Sequence, residues 1–197
     1  KKLVDERIKA KLSSSASWDS ITTPDMMRGS QSKWNHILAR TFLRPRDVIS
    51  FLNKILSVHK KRSAGPEIDN KDIVDSRADY STYLKSELDD EIRQHWPQWG
   101  EGLQACSAIS TITFDKDMFV DEYNKRKTKD NDKDASEALR TLHHFSVIGY
   151  AQRSGYGGSS WVFRYDNPEA GWDNTASRFK VHLGLKEYAK LREERQT

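Results

Sequence analysis

Two arginines on either side of a proline are the most distinctive chemical feature of this 197-residue sequence. Arg44, Pro45 and Arg46 stand just before Asp47 and an apolar pattern with helical spacing. Proline suits the first turn of a helix because it has a fixed φ and no amide hydrogen, and Asp47 favours the positive helix N-terminus. Both arginines are therefore predicted to lie on a rigid helix start. Such guanidinium groups suit phosphate recognition, and pairing with carboxylates between helices is the alternative.

The first half of the chain reads as a set of helices that would position these arginines. Apolar residues three and four positions apart predict helices over 1–12, 32–41, 45–62 and 70–95. The glycine and proline of 63–66 should end the third helix. Its predicted apolar face comprises Val48, Ile49, Leu52, Ile55 and Leu56. The corresponding face of the first helix comprises Leu3, Val4, Ile8 and Leu12.

From residue 101 the pattern changes to helices followed by strands. Helices are predicted over 103–112, from Phe114 to about Tyr123 and over 135–145, and strands over 147–151 and 161–165. A glycine turn at 155–158 separates the strands. Three helices, a strand, a glycine turn and a strand follow the order of a winged helix-turn-helix. A short extended piece beginning at Phe179 and a last helix complete the prediction.

The predicted fold class is mainly α with a small β-hairpin, in two domains. A helical, lid-like bundle is expected over residues 1–97, followed by a winged-helix domain over 98–197. Tyr80 and Tyr83 lie on the apolar seam of the long helix, where packing against a neighbouring helix is the interpretation we favour over ligand stacking.

Candidate DNA-binding residues lie before the third helix of the winged helix, within that helix and in the wing. This helix usually enters the major groove, and the wing contacts the backbone or the minor groove. The candidates are Lys125, Arg126, Lys127, Arg140, His143, His144, Arg153 and Tyr156. Glu137 would repel phosphate, and Asp130, Asp132 and Asp134 favour a solvated loop for the charged run. Protein contacts are the alternative for this surface.

Composition limits the classes of function. A net charge of +4 permits nucleic-acid binding, but 33 basic residues are nearly matched by 29 acidic ones. The single cysteine, Cys106, excludes an internal disulfide and is expected to be a buried thiol in a cytoplasmic protein. No stretch has membrane-spanning length, and no metal site is predicted because adjacent His143 and His144 diverge on a helix. His182 is expected to pack or to cap, and no nucleophile–base pair suggests an enzyme.

The segments TFLRPRDVISFLN, DYSTYLKSELDDE and FSVIGY, followed by WVFRY and FKVHLGLKEYAKL, resemble the C-terminal part of a group of bacterial P-loop ATPases. These are similar to AAA+/STAND and origin-recognition-type ATPases, and some are associated with phage defence. The resemblance covers the chain from about Trp34 onward. It implies a helical lid followed by a winged helix, with Arg44 or Arg46 matching the lid arginine that senses the γ-phosphate.

The chain departs from this family in one respect: no Gly-x-x-x-x-Gly-Lys-Ser/Thr loop and no Walker-B-like acidic pair occur in the sequence. ATP and Mg²⁺ are therefore implied only for an upstream core, and the chain is expected to be an excised part of a longer protein. The first hypothesis is a non-catalytic regulatory region whose partners are its own ATPase core, other protein subunits or double-stranded DNA. The alternatives are a free-standing winged-helix DNA-binding regulator and a protein–protein adaptor without nucleic-acid binding.

Overall fold

The computed structural model describes residues 1–63, 65–153 and 159–193, apart from the side chains of Arg153 and Ser159. It divides into two compact units, Lys1–Tyr80 and Ser81–Thr197. The described residues form seven α-helices and one four-stranded antiparallel sheet. The predicted class, mainly α with a small β part, is confirmed. The domain boundary at residue 97 stays a prediction.

The first unit contains three helices and the start of a fourth. These are α1 (Lys2–Lys11), α2 (Lys33–Leu38), α3 (Pro45–Arg62) and α4 (Asn70–Ile92), the last of which continues into the second unit. Pro45 is the first residue of α3, as predicted, and Arg44 is its N-cap. Ser63 ends α3 in the left-handed conformation, with φ of 48°.

Aromatic stacking between α3 and α4 forms the centre of the first unit's core. The ring of Phe51 stacks on that of Tyr80 with centroids 4.2 Å apart and an interplanar angle of 8°. This confirms that Tyr80 packs against a neighbouring helix. The predicted apolar face of α3 is wrong at one edge, because Leu56 is exposed and Ile49 is only half-buried. Phe51 takes the central place because its ring meets Tyr80.

Helix α1 corrects a second prediction. Of the four apolar residues predicted to share a face, only Val4 is buried; Leu3 is 50% exposed, and Leu12, the C-cap of α1, is 67% exposed. The physical reason is a hydrogen bond between α1 and the short 3₁₀ helix Trp18–Ser20. The carboxylate of Asp5 accepts a hydrogen bond of 2.8 Å from the amide of Trp18, which turns the Val4–Asp5 edge inward.

The second unit combines the rest of α4 with three helices and the sheet. Its elements are α5 (Trp99–Ile109), β1 (Thr113–Asp115), α6 (Lys116–Arg126), α7 (Ala135–His144), β2 (Ile148–Arg153), β3 (Ser159–Val162) and β4 (Arg178–Val181). The strand order is β1-β4-β2-β3, so the late strand β4 lies between the early strands β1 and β2. The predicted glycine turn at 155–158 lies outside the described residues.

The structure differs from the sequence prediction at two places connected with strand β4. Phe114 does not begin a helix but pairs with Phe179 across β1 and β4, where the two rings stack 5.8 Å apart. In the part of the chain that the structure describes, no α-helix follows β4; a 3₁₀ helix, Leu183–Leu185, stands in its place. His182 caps it, since its Nδ1 accepts a 3.1 Å hydrogen bond from the amide of Gly184. The capping role predicted for His182 is confirmed.

Candidate nucleic-acid interface

Helix α7 begins in a reciprocal capping arrangement that its sequence encodes. The Asp134 carboxylate accepts a 2.8 Å hydrogen bond from the amide of Glu137, whose own carboxylate accepts one of 3.0 Å from the amide of Asp134. Ala138, Leu139 and Leu142 then bury one face completely. Because those residues lie inside, the opposite face presents polar side chains outward.

A cavity of about 560 Å³ lies against α7. Its lining includes Lys133, Arg140 and Arg164, which carry permanent positive charge, and the histidines His143 and His144. We call this the α7 cavity. Among its described lining residues the one carboxylate is Glu137, which already accepts the amide of Asp134. Three cations facing one engaged carboxylate make the α7 cavity a place that attracts anions.

Neither histidine contributes a full positive charge at neutral pH. Burial lowers the pKa of His143. The Val162 carbonyl, as a hydrogen-bond acceptor for the imidazole, raises this pKa, whereas Arg164 and His144 lower it further. Burial also lowers the pKa of His144, with Arg164, His95 and Arg140 acting in the same direction. At neutral pH the positive charge of the cavity therefore comes from arginine and lysine.

An aromatic cluster holds His143 in place. The ring of His143 lies 5.1 Å from that of Tyr150 and 5.4 Å from that of Trp172, and Trp172 stacks on Phe179 at 5.8 Å. The hydroxyl of Tyr150 donates a 3.0 Å hydrogen bond to the carbonyl of Gly171, which ties the segment carrying Trp172 to β2. The wall of the cavity is thus part of the packed unit.

The structure brings three of the predicted DNA-binding residues together, namely Arg140, His143 and His144. Lys125 and Arg126 lie instead in the last turn of α6, where both pair with Glu122. The Glu122 carboxylate accepts hydrogen bonds from Lys125 and from Arg126. Both lower the pKa of Glu122, and the bond from Lys125 has the larger effect. Lys127, the C-cap of α6, is half-buried.

The remaining two candidates belong to the wing. Arg153 ends β2 opposite Ser159, but its side chain lies outside the described ones. Tyr156 lies outside the described residues altogether. The roles proposed for all eight residues stay predictions.

Three residues of this region carried no functional role in the sequence prediction. Lys133 and Arg164 add charge to the α7 cavity, and Trp172 adds an aromatic wall. Arg164 comes two residues after β3 and Trp172 lies in the connection to β4. No local pattern marks either, because the fold brings them to α7 from distant positions.

The charged run before α7 is not a solvated loop throughout. Asn131 is buried, and its amide nitrogen donates hydrogen bonds of 2.7 Å to Glu101 and 2.9 Å to the hydroxyl of Tyr123. Burial opposes ionisation of Glu101, but the hydrogen bonds from Asn131 and Thr128 outweigh it and lower the pKa. These contacts attach the connection between α6 and α7 to the helices.

In the first unit, Arg44 and Arg46 lie at the rigid corner that the sequence predicts. The guanidinium carbon of Arg44 lies 5.5 Å from the ring centroid of Phe42, within cation–π range. The Nε atom of Arg46 lies 3.7 Å from Oδ1 of Asp47, a carboxylate whose side chain is 1% exposed. Leu43, just before this corner, has a φ of 58°, which is unusual for a bulky residue.

Other kinds of site have no support in the described part of the chain. No group of three histidine, cysteine or acidic residues there could hold a metal ion. Cys106 is fully buried, which raises the pKa of its thiol to about 12 and confirms a buried thiol. No helix among the described residues is long and apolar enough to cross a membrane.

One protein family matches the first part of the chain. Residues 1–89 match the family described as the FunZ-associated C-terminal helical domain. No curated protein and no solved structure matches the chain. The match covers the whole first unit, and its description is consistent with a C-terminal region of a larger protein.

Proposed function

We propose that this chain is a non-catalytic C-terminal region of a larger protein, and that its second unit binds duplex DNA through α7. The observation that carries the proposal is the set of cations at the α7 cavity. Arg140, Arg164 and Lys133 surround it, and its carboxylate, Glu137, is engaged in capping the helix. Arginine and lysine are the groups that neutralise DNA phosphates.

The order of elements supports a winged helix. Helix α5, strand β1, helices α6 and α7 and strands β2 and β3 follow one another as they do in that motif. In this arrangement α7 takes the place of the helix that enters the major groove, and β2 with β3 forms the wing. Helix α7 meets the main requirement for that place, because one of its faces is buried and the opposite one is polar.

The number of available charges sets the expected strength of binding. With the two histidines neutral, about three cations would contact phosphates, which predicts a slope near −3 in a plot of log affinity against log salt. Binding should therefore be weak at physiological salt and clear at low salt. A protein with a broad basic surface would show a steeper dependence.

Fluorescence anisotropy with labelled duplex DNA at about 50 and about 200 mM salt tests this proposal. Arg140→Glu and Arg164→Glu should each weaken binding, because they reverse a charge at the cavity. Arg28→Glu is the matched control, since it makes the same change in net charge at an exposed residue of the first unit. Equal losses in all three variants, or no binding at low salt, would contradict DNA binding by α7.

The first unit would serve as the lid of a P-loop ATPase in the larger protein. Arg44, which caps α3, and Arg46 in its first turn would reach the γ-phosphate of ATP held by an upstream core. Their position on a helix start supports this role, since a guanidinium on a rigid element loses less freedom when it binds phosphate.

The lid role is tested in a protein that includes the nucleotide-binding core. Arg44→Ala and Arg46→Ala should reduce ATP hydrolysis and nucleotide-dependent switching, while Arg28→Ala should not. Circular dichroism of the 197-residue chain checks that each variant folds. If both variants hydrolyse ATP and switch like the parent, the arginines do not sense the nucleotide.

A protein–protein adaptor is the second candidate, favoured by the exposed leucines of α1. Leu3 and Leu12 are large apolar side chains left in contact with solvent in the structure. Binding to a partner protein that persists at high salt and weakens in Leu3→Ser with Leu12→Ser would favour the adaptor. Binding through phosphates should instead decline steeply as salt rises.

A further inference from the structure

We propose that the α7 cavity binds a single nucleotide, either free or as the phosphorylated end of a DNA strand. This inference concerns the same cavity as the proposed DNA contact, but it does not require that the chain binds along a duplex. It rests on four properties of the cavity: its volume, its charge, a buried hydrogen-bond acceptor and its aromatic wall.

The volume and the charge point to a small anion. At about 560 Å³, the cavity falls within the range of small-molecule sites, whereas contact with a duplex backbone needs only a surface. Arg140 and Arg164 can each present two N–H groups to one phosphate, and Lys133 adds a point charge. A phosphate group is the anion that best fits this combination.

His143 specifies a second property of the ligand. The residue is 2% exposed, and Nε2 has no hydrogen-bond partner in the structure. The Val162 carbonyl interacts with the same imidazole, and we assign the proton to Nδ1, which leaves Nε2 as an acceptor. A buried acceptor without a partner is costly, so a ligand that donates an O–H or N–H gains affinity here.

The aromatic wall completes the description. Trp172 and Phe145 both line the cavity, and the Phe145 ring lies 5.0 Å from that of His144. Flat aromatic side chains are surfaces on which nucleobases stack. A phosphate, a sugar hydroxyl or base N–H as donor and a planar ring occur together in a nucleotide, whereas sulfate offers the anion alone, because it has no O–H at neutral pH.

The test is nuclear magnetic resonance of the full chain with ¹⁵N-labelled histidines, titrated with the four nucleoside 5′-monophosphates. Nucleotide binding should move the Nε2 signal of His143 towards the value of a hydrogen-bonded acceptor. Adenosine should bind at least about tenfold more weakly than AMP, because it lacks the phosphate. Sulfate, which carries no O–H at neutral pH, should leave the Nε2 signal near its starting position.

Two further arms distinguish the sources and the site. If a short duplex with a 5′-phosphate shifts the His143 signal and a 5′-hydroxyl duplex does not, the ligand is the phosphorylated end of a strand. If free nucleotides shift the signal, the ligand is a free nucleotide. Arg164→Gln should weaken the binding of either ligand by about tenfold. Lys129→Gln is the control, because it makes an equal charge change outside the cavity lining, and it should not weaken binding.

The inference is overturned if no probe moves the His143 signal, or if Arg164→Gln and Lys129→Gln behave alike. Its failure remains separable from failure of the proposed function. Salt-dependent duplex binding that weakens in Arg140→Glu, without any nucleotide effect at His143, would retain DNA binding and remove only the nucleotide site.

Discussion

The indole N–H of Trp96 donates a 3.1 Å hydrogen bond to Oδ1 of Asn131. Trp96 follows α4 and is almost fully buried, whereas Asn131 lies within the charged connection between α6 and α7. The side chain of Asn131 also bonds to Glu101, to the hydroxyl of Tyr123 and to the amide of Lys133. One buried amide thus holds the segment that leads into α7.

Asn131→Ala should destabilise the second unit by about 2–3 kcal/mol, because it leaves several buried polar groups without a partner. Urea denaturation followed by tryptophan fluorescence measures the free energy of unfolding. Asn124→Ala is the matched control, since Asn124 is exposed on α6. Similar stability of the two variants would show that Asn131 is not the anchor.

Gly149→Ala should destabilise the second unit by about 1–3 kcal/mol through overpacking. A methyl group at Gly149 in β2 would lie 2.8 Å from the Phe163 ring and 2.9 Å from the carbonyl of Val162. Gly100→Ala tests the opposite case, because nothing lies within 4 Å of a methyl group there and Gly100 is in α5. Thermal melts should show a lower Tm for Gly149→Ala and an equal or higher one for Gly100→Ala.

The first unit should lose stability in strong acid through Asp69. Hydrogen bonds from Arg62, at 2.7 and 3.1 Å, lower the pKa of Asp69 to about 2 from an ordinary value of 3.8. Because the folded state favours the carboxylate, this contribution is complete above pH 3.8 and is lost as the pH falls through about 2.

Asp69→Asn should accordingly be less stable than the parent near pH 5, with the difference shrinking towards pH 2. Urea denaturation across this range measures it. Arg62→Gln removes the cause of the shift and should abolish most of the same pH-dependent difference. A difference that stays constant with pH would exclude the Arg62–Asp69 pair as its source.

The second unit should respond to mild acid through His143. Burial lowers the pKa of His143 below 6.5, so the unfolded chain takes up this proton at a higher pH than the folded chain does. Stability should fall as the pH is lowered through 6.5, with a slope of at most about 1.4 kcal/mol per pH unit for one proton. His143→Gln should flatten this slope in denaturation curves between about pH 7 and pH 5; an unchanged slope would assign it to another group.

Residues close together in the chain determined the starts of α3 and α7 and the buried face of α7. Pro45 begins α3, Asp134 and Glu137 cap α7, and Ala138, Leu139 and Leu142 are buried as their spacing predicts. Caps and the spacing of three or four residues act within one or two helical turns, so the sequence alone contains this information. The Arg44–Arg46 corner follows for the same reason.

The sheet and the α7 cavity depended on the tertiary structure. Phe114 forms a strand because Phe179, far along the chain, pairs with it, and no local pattern signals that partner. Arg164 and Trp172 reach Arg140 and His143 only once β2, β3 and β4 have assembled beside α7. Likewise, Asn131 reads as part of a polar loop until Trp96 and Tyr123 enclose it. Contacts between distant residues decide these features, because burial and pairing depend on which segments the completed fold brings together.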